Sequence, residues 1–125
     1  MTFPPVAVVE DDVATLKALT RVLSAGGFEP LAYSSAEDFL ASPPTRPPAC
    51  LVLDIRLGGM SGLDLQRRLR ALGSNLSIII VTALDDADVR AEAYRLGCVA
   101  YLAKDCDADL LLGLIRSIVS ATRPQ

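Results

Sequence analysis

Five short apolar runs alternate with five segments of helical periodicity along the chain. The runs are Val6–Val9, Phe28–Tyr33, Cys50–Leu53, Ser77–Val81 and Val99–Ala103. They are mostly continuous rather than alternating, which predicts strands buried on both faces. The second contains Pro30, a residue that suits an edge strand. Between the first two runs, Leu16, Leu19, Val22 and Leu23 share one helical face, and Gly26-Gly27 provides a stop. A short helix is predicted from about Ser35 to Ala41, with Phe39 and Leu40 turned inward. A third spans about Gly62 to Leu72 and stops at Gly73. A fourth runs from about Asp85 to Leu96, with acids in its first turn to suit the helix dipole. The last opens near Asp107 and continues to about residue 121, with Leu110, Leu111, Leu114, Ile115, Ile118 and Val119 on a broad stripe.

Strict strand–helix alternation implies a parallel sheet with helices on both faces, joined by right-handed crossovers. The expected fold is one doubly wound (βα)5 α/β domain over residues 1–125, with strand order 2-1-3-4-5. The proline-rich stretch Ser42–Pro48 falls within the alternation and reads as a stiff connector. A content of 51% hydrophobic and 22% charged residues excludes a disordered chain. No apolar run approaches the roughly 20 residues of a membrane helix. The opening "MTFPPVAVVEDD" lacks the basic segment and cleavage site of a signal peptide, so a cytoplasmic location is expected. A net charge of -3 gives this domain no electrostatic case for binding nucleic acid. Cys50, Cys98 and Cys106 show no CxxC spacing and read as reduced structural thiols.

In open α/β sheets, ligands bind beyond the carboxyl ends of the strands, where strand order reverses. Glu10, Asp11 and Asp12 follow the first strand, Asp54 the third, Thr82 the fourth and Lys104 the fifth. Order 2-1-3-4-5 makes the first and third strands neighbours, so their acids crowd together. Two carboxylates ~4 Å apart repel by about 4 kcal/mol at an effective dielectric near 20. A domain stable by only about 5–15 kcal/mol does not arrange that for packing alone. Asp12 by itself could simply cap the first helix. For the group, a hard divalent cation is the natural resolution; oxygen-only donors in a chain without histidine favour Mg2+. Such an ion keeps open positions that phosphate oxygens fill, with the Thr82 hydroxyl and the Lys104 charge beside them. With no Ser–His or Cys–His pair possible, a carboxylate is the remaining nucleophile, and Asp54 is central.

On "VVEDD" at 8–12, "LVLDIRLGGMSG" at 51–62, "IIIVTA" at 78–83 and "YLAK" at 101–104, the chain resembles a response-regulator receiver domain of two-component signalling. The resemblance covers essentially all 125 residues, and "DIRLGGMSGLDLQRRL" leans toward regulators with a C-terminal helix-turn-helix. It implies a flavodoxin-like fold and a phosphorylation-activated switch rather than a metabolic enzyme, with at most self-phosphorylation and self-dephosphorylation. Asp54 would be the phosphoacceptor. Asp11, Asp54 and the Arg56 backbone carbonyl would ligate Mg2+, with Glu10 acting through water. Thr82 and Lys104 would hold the phosphoryl oxygens, and Tyr101 would turn inward as Thr82 moves. Ala83 leaves room for the phosphoryl group and water, while Arg56 and Leu84 would flank the hydrolytic path and tune phosphoryl lifetime.

The implied partners are a sensor histidine kinase or phosphotransfer protein, a second copy of the chain on phosphorylation, and a DNA-binding output domain beyond residue 125. The α4–β5–α5 surface would carry the signal, and the expectation is an excised receiver rather than a stand-alone one. Two residues depart from the family pattern. Asp105 follows Lys104 where proline is usual, which leaves a trans bond the expected geometry and puts a negative charge beside the lysine. Gly58 stands where proline is common, which should loosen the loop after Asp54. A degenerate receiver, used as a phosphorylation-independent interaction module, is the rival reading. A flavodoxin-like cofactor binder would not place "EDD" against a phosphate, and an aspartyl-phosphate phosphatase would carry an acid where Arg56 stands.

Overall fold

The computed structural model describes residues 3–122. Its elements in order are β1 (Pro5–Val9), α1 (Val13–Ala25), β2 (Glu29–Tyr33), α2 (Ala36–Ala41), β3 (Cys50–Leu53), α3 (Gly62–Ala71), β4 (Ile78–Thr82), α4 (Ala87–Arg95), β5 (Ala100–Ala103) and α5 (Ala108–Thr122). The five strands form one parallel sheet in the expected order β2-β1-β3-β4-β5. Pro30 lies on β2, at the edge. Residues 123–125, the end of the last predicted segment's tail, lie outside the described residues.

The continuous apolar runs follow from a sheet covered on both faces. Val6, Val8, Cys50, Val52, Ile79 and Val81 point to the side packed by Leu23 of α1 and by Leu111, Leu112, Ile115 and Ile118 of α5. Ala7, Val9, Leu51, Leu53, Ile78 and Ile80 point to the other, against Phe39, Leu65, Leu69 and Ala93 of α2, α3 and α4. Fully burying each branched side chain contributes about 1.5–3 kcal/mol, so β1, β3 and β4, buried along their whole length, are fixed in register from two directions.

Element ends differ from the sequence reading by a residue or so. Phe28 is buried but precedes β2 rather than opening it. Ser77 falls outside β4 and Thr82 inside it, paired with Ala103. Val99 is half exposed and lies before β5, although its N–H still reaches the Ile78 carbonyl at 2.7 Å.

At the end of the sheet remote from the carboxyl termini, polar side chains fasten α3 to α4. The buried Gln66 amide donates to the Ala93 carbonyl at 2.9 Å. The Arg70 guanidinium donates to the carbonyls of Leu96, Ser74 and Leu76 at 2.8, 2.9 and 3.0 Å, and to Gly97 at 3.3 Å. The carbonyls held by Arg70 lie just past the last turns of α3 and α4, where the helical bonding pattern has ended.

The three cysteines are free thiols. Burial pushes the Cys50 thiol up to about 12 and raises Cys98 as well. Half-buried Cys106 is raised by burial and then by Asp105 and Asp107. Since the thiolate is the nucleophile, brief iodoacetamide treatment of the native protein near pH 7 should leave its intact mass unchanged. Near pH 9.5 one slow adduct is expected, absent from Cys106→Ser; rapid labelling of two or more thiols would contradict this.

Candidate functional site

The β1–β3 register brings the site together. Val9 pairs with Leu53, so the next residues, Glu10 and Asp54, emerge side by side, and the Asp54 N–H donates to the Val9 carbonyl at 3.1 Å. Both carboxylates are buried, at 1% and 3% exposure, whereas Asp11 is exposed. One oxygen from each of Glu10, Asp11 and Asp54 lies within 4.8 Å of the others. Asp12 turns away and caps α1, accepting from the Thr15 N–H at 2.9 Å.

Lys104, just past β5, reaches into this cluster. Its Nζ stands 2.8 Å from Glu10 Oε1 and 3.0 Å from Asp54 Oδ2. Burial pushes the Glu10 carboxyl above its ordinary range, although Lys104 and the Asp12 N–H pull the other way. Burial lowers the affinity of Lys104 for its proton, but its bonds to Glu10 and Asp54 outweigh this and hold the ammonium above its ordinary value. Three carboxylates facing one ammonium leave two negative charges uncompensated. Glu10 Oε1 is buried and has the Lys104 ammonium as its partner. Three carboxylate donors within reach of one another and the leftover charge together fit a hard divalent cation.

Thr82 ends β4 almost fully buried, and its Oγ1 accepts from the Leu84 N–H at 3.2 Å, leaving its proton free to donate. Thr82, Leu84, Arg90, Tyr101, Lys104 and Asp105 line an open cleft of about 470 Å3, with exposed Ala83 on its rim. Tyr101 Oη donates to the Leu84 carbonyl at 2.8 Å, tying β5 to the loop after β4. The Arg90 guanidinium lies 5.2 Å from the centroid of the Tyr101 ring and pairs with Asp85 at 2.8 Å. Sequence reasoning missed Arg90, since one arginine on an exposed helix carries no signal. No described peptide bond is cis, the Lys104–Asp105 bond included.

The loop after β3 is tethered, not loose. Gly58 N–H donates to Asp11 Oδ2 at 2.9 Å, and Met60 N–H to Glu37 Oε2 of α2 at 2.9 Å. The expectation that Gly58 loosens this loop is corrected for that reason: glycine supplies an N–H that proline lacks. Arg56 N–H donates to Asp54 Oδ1 at 3.3 Å, and the Arg56 side chain is exposed. Ser61 caps α3 in a reciprocal box with Asp64. Thus "MSG" reads as helix entry.

The response regulator receiver domain family matches residues 6–116. The chain belongs to this family. Over 117 residues the receiver is 38% identical to Nodulation protein W of Bradyrhizobium diazoefficiens, covering 94% of this chain and 50% of that protein. It is 32% identical to the transcriptional regulatory protein FixJ of the same organism, covering 94% of this chain and 57% of that one. Among solved structures, a response regulator receiver protein from Pseudomonas putida superposes with a TM-score of 0.83 at 31% identity, covering 94% of this chain and 98% of that one. The receiver spans about half the length of the curated relatives it matches. Among the described residues, no helix is long and apolar enough to cross a membrane.

Proposed function

We propose that Asp54 accepts a phosphoryl group from the phosphohistidine of a sensor kinase or phosphotransfer protein, with Mg2+ bound at Glu10, Asp11 and Asp54. The observation that carries this reading is Asp54 itself. It is a carboxylate at 3% exposure, at the end of a central strand, with an ammonium at 3.0 Å and two further carboxylates beside it. An Asp54 carboxylate oxygen attacks phosphorus, the P–N bond to imidazole breaks as the P–O bond forms, and the imidazole leaves to take up a proton. Bound Mg2+ supplies positive charge that offsets the transferring phosphoryl oxygens. Lys104 supplies a second positive charge from the other side, and Thr82 donates its free hydroxyl proton to a phosphoryl oxygen. Tyr101 follows Thr82 through the Leu84 segment and alters the surface around α4, β5 and α5. Arg56, Ala83 and Leu84 set access of water to the acyl phosphate. The output is a DNA-binding domain beyond this chain, a reading supported by the name of the FixJ relative, a transcriptional regulatory protein.

Intact mass tests it directly. Wild type incubated with Mg2+ and a small-molecule phosphodonor should gain one phosphoryl group. Asp54→Asn should gain none, and chelation should prevent the gain in wild type. No adduct in any sample would leave a phosphorylation-independent interaction module.

A further inference from the structure

Gly58 lies where its backbone, not its side chain, meets the cluster. Its N–H donates to Asp11 Oδ2 at 2.9 Å across 47 residues of sequence. A Cβ built at position 58 would lie 3.7 Å from the same oxygen, an ordinary contact, so the carboxylate is reached by the amide without crowding. The next residues keep that amide aimed. Gly59 has φ +77°, a conformation side chains rarely adopt, and Glu37 lies so close over it that a Cβ there would come within 2.4 Å of Oε2. The same Glu37 oxygen accepts the Met60 N–H at 2.9 Å, which also holds the Glu37 carboxyl below its ordinary range. Beyond this, Gly62 N–H closes the loop onto the Ile55 carbonyl at 2.9 Å. The amide is therefore fixed from three sides.

Asp11 needs such a hold. Unlike Glu10 and Asp54, it is exposed, and among the described residues no cation pairs with it: Lys104 pairs with the other two. An exposed aspartate that must present one oxygen to a cation loses rotamer freedom on binding. A hydrogen bond to the carboxylate removes that freedom beforehand, and partners of this kind raise the affinity of ligating carboxylates.

We infer that Gly58 is a positioning residue for the divalent cation: its N–H fixes the Asp11 carboxylate, and Glu37 of α2 holds the loop that presents this N–H. The inference rests on the reading of Glu10, Asp11 and Asp54 as the cation site. Proline at 58 would abolish the bond, and alanine would keep it. The pair separates the amide from every effect of the side chain.

The experiment is a Mg2+ titration of wild type, Gly58→Ala and Gly58→Pro by calorimetry, with circular dichroism to establish folding. It is accompanied by the Gly58 amide-proton resonance of the metal-free wild type and of Asp11→Ala. Gly58→Pro should bind Mg2+ about tenfold more weakly, and Gly58→Ala within about twofold of wild type. In metal-free wild type, the Gly58 amide proton should be shifted downfield, and Asp11→Ala should abolish that shift. Equal affinity in all three proteins, or equal weakening by alanine and proline, would overturn the inference while leaving the cation site standing. Should Gly58→Pro fail to fold, an amide shift unchanged by Asp11→Ala overturns it alone. Wild type that binds no Mg2+ overturns the cation reading and this inference together, and is recognised as such because the amide shift persists.

Discussion

Gly62→Ala should cost the receiver about 3 kcal/mol or more, lowering its midpoint of thermal unfolding by roughly 10 °C or more. The reason is backbone, not side chain. A Cβ at position 62 would lie 2.1 Å from the Asp54 carbonyl oxygen, 2.8 Å from Ile55 Cα and 2.9 Å from the Asp54 carbonyl carbon. None of these is the tip of a flexible group that can swing aside. Relief requires α3 to withdraw from the end of β3, which breaks the 2.9 Å bond from Gly62 N–H to the Ile55 carbonyl and exposes Leu65 and Leu69. The strain falls on Asp54, the proposed phosphoacceptor, so any folded Gly62→Ala protein should also take up phosphoryl more slowly. Calorimetric melting beside Gly113→Ala makes the comparison, because a Cβ at Gly113 meets nothing within 4 Å. Equal melting of the two variants would show that α3 does not bear on Asp54 as described.

Lys104→Met should destabilise the metal-free receiver by about 3 kcal/mol near pH 7. That is the low end for breaking a buried ion pair, chosen because the lysine side chain is 28% exposed. The loss leaves Glu10 and Asp54 buried and mutually repelling with no cation between them. Its pH dependence has a defined sign. Glu10 titrates in the fold above its ordinary value of 4.5 because burial disfavours its charge. The stability carried by its protonated form is therefore present below 4.5 and lost as pH rises through the higher folded value. Lys104, held above its ordinary 10.5, contributes stability below that value that is lost as pH rises through its own folded value. Removing Lys104 therefore deepens the loss through Glu10, and the deficit of the variant should shrink as pH is lowered toward 5. Adding Glu10→Gln should recover much of it at neutral pH. Melting curves in chelator from about pH 5 to 9 would show this. A deficit independent of pH, or no rescue by Glu10→Gln, would mean that the lysine acts through its alkyl packing.

The central strands β1, β3 and β4 were legible because a sheet covered on both faces demands uninterrupted apolar runs, here four or five residues long and repeated between helical segments. The acids were legible because they interrupt that grammar at the strand ends: Glu10 and Asp54 are neighbours only because Val9 pairs with Leu53. Element ends were less so. Thr82 reads as the first loop residue by polarity, yet its backbone still pairs with Ala103. What escaped were long-range bonds from polar side chains to backbone. Arg70, Gln66 and Glu37 carry no periodicity that marks them, and each reaches 23 residues or more along the chain. Gly58 offered a visible signal, a glycine in place of proline. Its meaning turned on the donor gained and not on the freedom gained, and that required knowing where Asp11 lay.

The bonds from Gln66 and Arg70 also determine how α4 can move. They grip the helix at Ala93, Leu96 and Gly97, all at its C-terminal end. Its N-terminal end meets the β4–α4 loop, where Leu84 is held by the Tyr101 hydroxyl and Asp85 by Arg90. Nine residues make a rod of about 13 Å, so a tilt of about 10° about the gripped end carries the free end by about 2 Å. The helix is thus a lever with its pivot at Ala93–Gly97. Tilting about that pivot by a shift at Thr82 would move Ala87 most and Arg95 least.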